Sequence, residues 1–253
     1  MTRRAFVAGA AAAAIVAACG RGRRTAAPSS SSTTVDSGGG TSTTTATAAT
    51  AGGPASFVAN GSRTGTGVAL TFHGSGDHTL ALELLAAAAK ASAPITVFAV
   101  GTWLEQQPDM ARRILDAGHE LANHTYTHPA LARVDRVGVA REITRCRDVL
   151  ARLSGSGGEW FRPSGIDHPT DLMLEEAGRA GYRVSVGYDV DPHDYQDPGA
   201  DVVLSRVKAG AQAGSIVSLH FGHAGTVAAF PGVVSALRDR GLEPVLVRHL
   251  LAS

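Results

Sequence analysis

From Gly67 onward, short apolar runs rich in β-branched residues alternate with longer stretches of helical period, and this alternation limits the fold more than any other feature of the chain. The strand candidates are VALTF, ITVFAV, HELAN, EWFR, RVSVGY, SIVSLH and PVLV. Helix candidates lie between most of them, at Thr79 to Ser92, Pro108 to Ala117, Val137 to Leu153, Pro169 to Ala180, Ala200 to Ala213 and Val227 to Arg240. Pro108 near a helix start, and Gly118, Gly181 and Gly241 just past helix ends, fit the usual punctuation. About seven β/α units in about 190 residues predict a parallel sheet closed, or nearly closed, into a barrel covered by helices, with a doubly wound open sheet as the alternative. In either fold the chemistry belongs at the C-terminal ends of the strands.

The N-terminal quarter follows a different pattern. MTRRAFVAGAAAAAIVAACG sets two arginines before an apolar stretch of roughly fifteen residues, too short to span a bilayer and the right length for an export signal. TRRAFV resembles a twin-arginine signal, and Val16 to Cys19 (VAAC) resembles a lipobox, in which Cys19 takes lipid and becomes the mature N-terminus. The expected divisions are therefore a signal at 1–18, a tether of Ser, Thr, Gly and Ala at 19–61, and a folded domain at 62–253. A flexible coil of roughly 40 residues reaches about 35 Å, so the domain is expected outside the cytoplasmic membrane, held there by its lipid. The second cysteine, Cys146, then has no intramolecular partner, and no disulfide is expected.

The net charge is +1, and five arginines lie in the first sixty residues, opposed there only by Asp36. The remainder is slightly acidic and has no basic run to follow a phosphate backbone, which argues against a nucleic-acid partner.

At the strand ends, NHTYTHP puts His124 and His128 directly after HELAN, a spacing that can serve one zinc-type ion. FRPSG follows the fourth strand, GYDVDPHDY the fifth, and His220 ends the sixth. Each has an ordinary reading taken alone: Arg162 as a surface cation, Asp191 and Asp194 as turn formers, His220 as a buried, satisfied imidazole. Together they gather ionisable residues at one end of at least five strands, which core packing does not require.

These motifs resemble, in order and from about Val68 to Leu251, the polysaccharide deacetylases of carbohydrate esterase family 4. The resemblance implies an α/β fold, a distorted (β/α)7 barrel. It implies a divalent metal, zinc above all with cobalt or nickel as alternatives, and hydrolysis of acetyl groups on peptidoglycan, chitin oligomers or acetylated xylan. The expected partners are such a polysaccharide and, through the anchor alone, the membrane; a monomer is expected. His124 and His128 match the family's His-x-x-x-His ligands, and Arg162-Pro163 its Arg-Pro-Pro motif, with Ser164 in place of the second proline. Asp191, Asp194 and Tyr195 match its Asp-x-x-Asp-Trp motif, and Leu219-His220 approximates its Leu-x-His. By this resemblance His220 is the general acid, oriented by Asp194, and a backbone N–H near Tyr126 stabilises the oxyanion.

The first motif departs from the family. Thr71-Phe72-His73-Gly74 stands where related chains have Thr-Phe-Asp-Asp, whose carboxylates are the base and the third metal ligand. Three readings stay open. His73 completes a three-histidine site and Asp77 is the base; or Asp77 is the third ligand and His73 the base; or the domain binds glycan or metal without turnover. A carboxylate suits the cation of Arg162 better than an imidazole does, which favours the first. Trp103 and Trp160 are read as core residues rather than sugar platforms.

Overall fold

The computed structural model describes residues 52–252. The expected export signal, Cys19 and the expected tether up to residue 51 lie outside the described residues. Besides two short 3-10 turns at Leu131–Arg133 and Asp194–Gln196, the described residues form eight strands and eight α-helices. They are β1 (Ser56–Val58), β2 (Gly67–Gly74), α1 (His78–Lys90), β3 (Thr96–Ala99), α2 (Gly101–Gln106), α3 (Asp109–Asp116), β4 (Glu120–Asn123), α4 (Arg136–Ser154), β5 (Trp160–Phe161), α5 (Asp171–Arg179), β6 (Val184–Val186), α6 (Ala200–Gly210), β7 (Ile216–His220), α7 (Ala224–Arg238), β8 (Glu243–Val245) and α8 (Val247–Leu251). Side-chain caps fix three helix starts: Asp77, Asp135 and Thr170 accept from the N–H groups of Leu80, Gly138 and Met173. A left-handed Gly155 ends α4.

Among the described residues the strands pair in parallel, in the order β1-β6-β5-β4-β3-β2-β7, with β8 joined to the start of β2. A further parallel bridge, Val190 to Val217, returns β7 to the chain leaving β6, so the sheet curls into a distorted barrel. The period of two along β2 divides its side chains between two environments. Leu70 and Phe72 point outward into the main core, with Leu84, Val97, Leu104 and Phe230. Ala69 points inward with Phe98, Ala122, Val186 and Ile216. Each fully buried side chain of the outer layer contributes about 1.5–3 kcal/mol, so this layer holds the helices on the barrel.

The N-terminal end of the barrel is closed by Glu120. Its carboxylate accepts from Thr96 Oγ1 and Trp160 Nε1 and pairs with Arg248. Trp160 is thus a buried packing residue at the opposite end from the motif histidines, as expected of it.

The seven strand candidates are β2 to β8, and the six helix candidates match α1 and α3 to α7 within a few residues. The tether boundary is corrected: residues 52–61 belong to the folded domain, because Ser56–Val58 pairs in register with Val184–Val186. SFV is too short to stand out by its own apolar pattern, and the open edge of β6 is what recruits it. The run PVLV is also split, since Val247 begins α8 after donating its N–H to Thr96 Oγ1.

Candidate metal centre and active site

His73 and His220 are Cα partners in register on the neighbouring strands β2 and β7, so their rings lie on the same side with centroids 4.3 Å apart. His124 directly follows β4, and its ring lies 4.2 Å from that of His73. The next turn brings His128 back until its Nε2 is 3.1 Å from Nε2 of His124. Ligand atoms of His73, His124 and His128 lie within 4.8 Å of one another, the one such cluster among the described residues.

The donor set suits a divalent cation. Nδ1 of His124 faces the Arg162 carbonyl at 2.9 Å, which fixes the proton on Nδ1 and leaves the Nε2 lone pair toward the cluster. Two nitrogens about 2.0–2.1 Å from a tetrahedral ion sit about 3.3 Å apart, close to the His124–His128 spacing. Nε2 of His73 faces Ser218 Oγ at 3.3 Å, a hydroxyl able to accept the ring proton and leave the other nitrogen with a free lone pair. Burial, then the neighbouring His124 and His220, holds His73 well below the usual imidazole value. Burial, then His128, does the same to His124, and burial also lowers His128. Neutral imidazoles are the form a metal takes.

His220 is held from behind. Its Nδ1 lies 2.7 Å from Asp194 Oδ1, and its backbone N–H donates to Asp194 Oδ2 at 2.8 Å. Asp194 is only 1% exposed and also accepts from Thr226 Oγ1. This leaves Nε2 of His220 as its free nitrogen, with the half-exposed ring of Tyr195 at 5.2 Å. Asp191 turns to its own loop, accepting from the His193 N–H.

Arg162 is not a surface cation. It lies 1% exposed inside the barrel, donating to the Val186 and Gly187 carbonyls and to Thr71 Oγ1, with its guanidinium 4.0 Å from the centre of the Phe98 ring. Burial pushes it down to about 9, so it stays charged at neutral pH. Its three side-chain hydrogen bonds go to two carbonyls and a hydroxyl, and none of them to a carboxylate among the described residues.

Two sequence expectations meet a different arrangement. Asp77 is exposed and caps α1 through Leu80 N–H at 3.0 Å; the structure does not bring it to the histidines. The Tyr126 N–H, expected to face an oxyanion, instead donates to Glu142 Oε2 at 2.9 Å. Gly74 ends β2, and a Cβ there would lie 2.8 Å from Val97 Cγ1, so this strand end leaves little room for a side chain. Trp103 is a packing residue as read, and its Nε1 also holds the Gly76 carbonyl in the turn after β2.

Sequence reasoning missed Ser218, Glu142 and the function of Ser164. Ser164 accepts from Thr125 Oγ1 and donates to the Pro129 carbonyl, tying the histidine turn to the loop after β5. Ser218, two residues before His220 on the same strand face, was the one of these that strand alternation could have flagged.

The polysaccharide deacetylase family model matches residues 60–185. A chitooligosaccharide deacetylase of Sinorhizobium fredii is 34% identical over 197 residues, covering 71% of this chain and 90% of that protein. The chain belongs to the polysaccharide deacetylase family. A peptidoglycan-N-acetylglucosamine deacetylase of Bacillus cereus is 29% identical, covering 69% of this chain and 64% of its own. Among solved structures, a peptidoglycan N-acetylglucosamine deacetylase in complex with a hydroxamate-type benzamide superposes with a TM-score of 0.74 at 25% identity, over 79% of this chain and 94% of that one. A family 4 pseudoenzyme of Bacillus anthracis shares the fold at a TM-score of 0.72 and 23% identity, over 77% of this chain and 68% of its own. The distorted (β/α)7 barrel of the family is thus the fold of this chain.

Proposed function

We propose that this polysaccharide deacetylase is a metal-dependent hydrolase of acetylated cell-envelope glycans, N-acetylated peptidoglycan or chitin oligomers first among them. The observation that carries the reading is the convergence of His73, His124 and His128 within 4.8 Å beside an imidazole braced by a buried carboxylate. The names of the relatives support acetylated glycan as the substrate class. The three imidazoles would hold zinc or a similar divalent ion, which when bound supplies Lewis acidity toward an acetyl carbonyl and a nearby water.

The proton chemistry falls to His220. It is the one imidazole of the four that lies outside the ligand cluster, and Asp194 fixes its Nδ1 proton and ring orientation. With Asp77 committed to the helix cap, Nε2 of His220 takes the proton from water and returns it to the leaving nitrogen. Arg162 adds positive charge beneath His73 and so favours negative charge developing above it. The Tyr195 ring supplies an exposed apolar face beside His220 for a sugar. The same reading takes the chain to the outer face of the membrane through lipid on Cys19, an assignment that mass spectrometry of the membrane fraction tests.

A second reading has its own observation: the histidine cluster contains no carboxylate, and a module that binds metal and glycan without turnover needs none. Acetate release separates the two. Zinc-loaded protein is expected to release acetate from N-acetylglucosamine oligomers or peptidoglycan, and to lose this activity on chelation and in His220→Ala. Stoichiometric metal with no acetate from any acetylated glycan would establish the binding module instead.

A further inference from the structure

We propose that Glu142, on α4 and outside every motif of the family resemblance, is the positioning residue that holds the His124–His128 pair in ligand geometry. The inference rests on the metal-site reading above. Glu142 is buried, and its carboxylate is directed at the turn between the two histidines. Oε2 accepts from the Tyr126 and Thr127 N–H groups at 2.9 and 2.7 Å, and Oε1 accepts from Thr127 Oγ1 at 2.9 Å.

The turn needs such a clamp. Thr125 and His128 both adopt the left-handed region, with φ of 69° and 59°, where residues with a Cβ are disfavoured and a β-branched threonine most of all. Conformations of this kind persist only where their surroundings over-determine them. Asn123 Oδ1 accepts from the Thr125 N–H at the start of the turn, and Ser164 ties Thr125 and Pro129. Glu142 holds the middle of the turn, and it does so through charge-assisted bonds, roughly twice as strong as neutral ones. The left-handed turn is what swings His128 back until its Nε2 stands 3.1 Å from that of His124. Without the clamp, the second nitrogen is free to leave the first.

The test is metal binding by purified wild type, Glu142→Gln and Thr127→Val, with no reliance on turnover. The Glu142→Gln change keeps the size of the side chain and one oxygen for the two N–H groups, but removes the negative charge and turns an N–H₂ toward Thr127 Oγ1. Zinc affinity is measured by competition with a chromophoric chelator, and ligand geometry by the visible absorption of the cobalt(II) form. Circular dichroism at the assay temperature shows that each variant is folded. For Glu142→Gln the expected result is a zinc Kd raised about 10–100-fold, the range found for outer-shell partners, with an altered cobalt spectrum. Thr127→Val, which removes only the Oε1 contact, is expected to give a smaller rise in Kd. A folded Glu142→Gln protein with unchanged Kd and cobalt spectrum overturns the proposal. Should Glu142→Gln fail to fold, Thr127→Val decides: an unchanged Kd and spectrum overturn it. Wild type that takes up no metal overturns the metal-site reading and this inference together, whereas wild-type binding matched by the variants overturns the inference alone.

Discussion

His73 stands where the resemblance implies an aspartate, and the consequences begin with its two ring nitrogens. Ser218 faces Nε2, the histidine cluster lies about the rest of the ring, and the cation of Arg162 lies below. His73→Ala is therefore expected to reduce zinc affinity by ~100-fold or more, beyond the range for outer-shell residues, in a chelator competition assay. A pH prediction follows from the same burial. An imidazole in the unfolded chain takes its proton near 6.5, while His73 and His124 in the folded, metal-free protein resist it. As pH falls through 6.5 the unfolded state binds more protons than the folded state, so stability declines, and the decline ends below the folded values. The thermal midpoint of chelator-treated protein should be lower at about pH 5.5 than at about pH 7.5, and His124→Gln should shrink that difference. Equal midpoints would mean that these rings titrate normally. Cys146 makes no comparable contribution, since burial pushes its thiol up to about 12.

At the scale of elements, the turn from β2 to α1 fixes the role of Asp77. Asp77 is a helix cap, so Asp77→Ala should lower stability by about 1 kcal/mol in urea titration while leaving zinc uptake and acetate release intact. Loss of turnover with unchanged stability would restore Asp77 to the chemistry. The same turn is pressed against the loop after β7. A Cβ on Gly222, at φ 83°, would lie 3.0 Å from Gly76 Cα, and the two backbones touch with no room for a side chain. Gly222→Ala should thus destabilise the domain by more than the roughly 1 kcal/mol of an ordinary glycine replacement, a comparison that the urea midpoint makes directly. The helices themselves were legible in the sequence, because their apolar period and caps are local signals. The partners of Glu142 were not, since its carboxylate reaches back from α4 to the loop after β4. Such contacts carry no sequence spacing that pattern reading can use.

At the scale of the molecule, Arg162 joins strands that only the curled sheet brings together. It leaves the end of β5 and donates to the last carbonyl of β6, to the Gly187 carbonyl that follows and to Thr71 on β2 across the barrel. Arg162→Met should leave the carbonyl of Gly187 and its neighbours without partners, at about 1–3 kcal/mol for each buried group, and lower the urea midpoint accordingly. A midpoint equal to wild type would mean that the barrel closes without this cation. The sequence by itself determined the order of β/α units, the end of the barrel where the chemistry lies, and the histidines and acidic residues that stand there, because alternation and strand ends are written locally. The tertiary structure alone decided that β1 joins the sheet, that Gly74 lies against Val97, that His73 rather than Asp77 meets His124 and His128, and that Tyr126 is committed to Glu142. The physical reason is the same in each case: which face a side chain takes, and which donor reaches which acceptor, depends on strand register and on the curl of the sheet, and both arise from contacts between residues far apart in the chain.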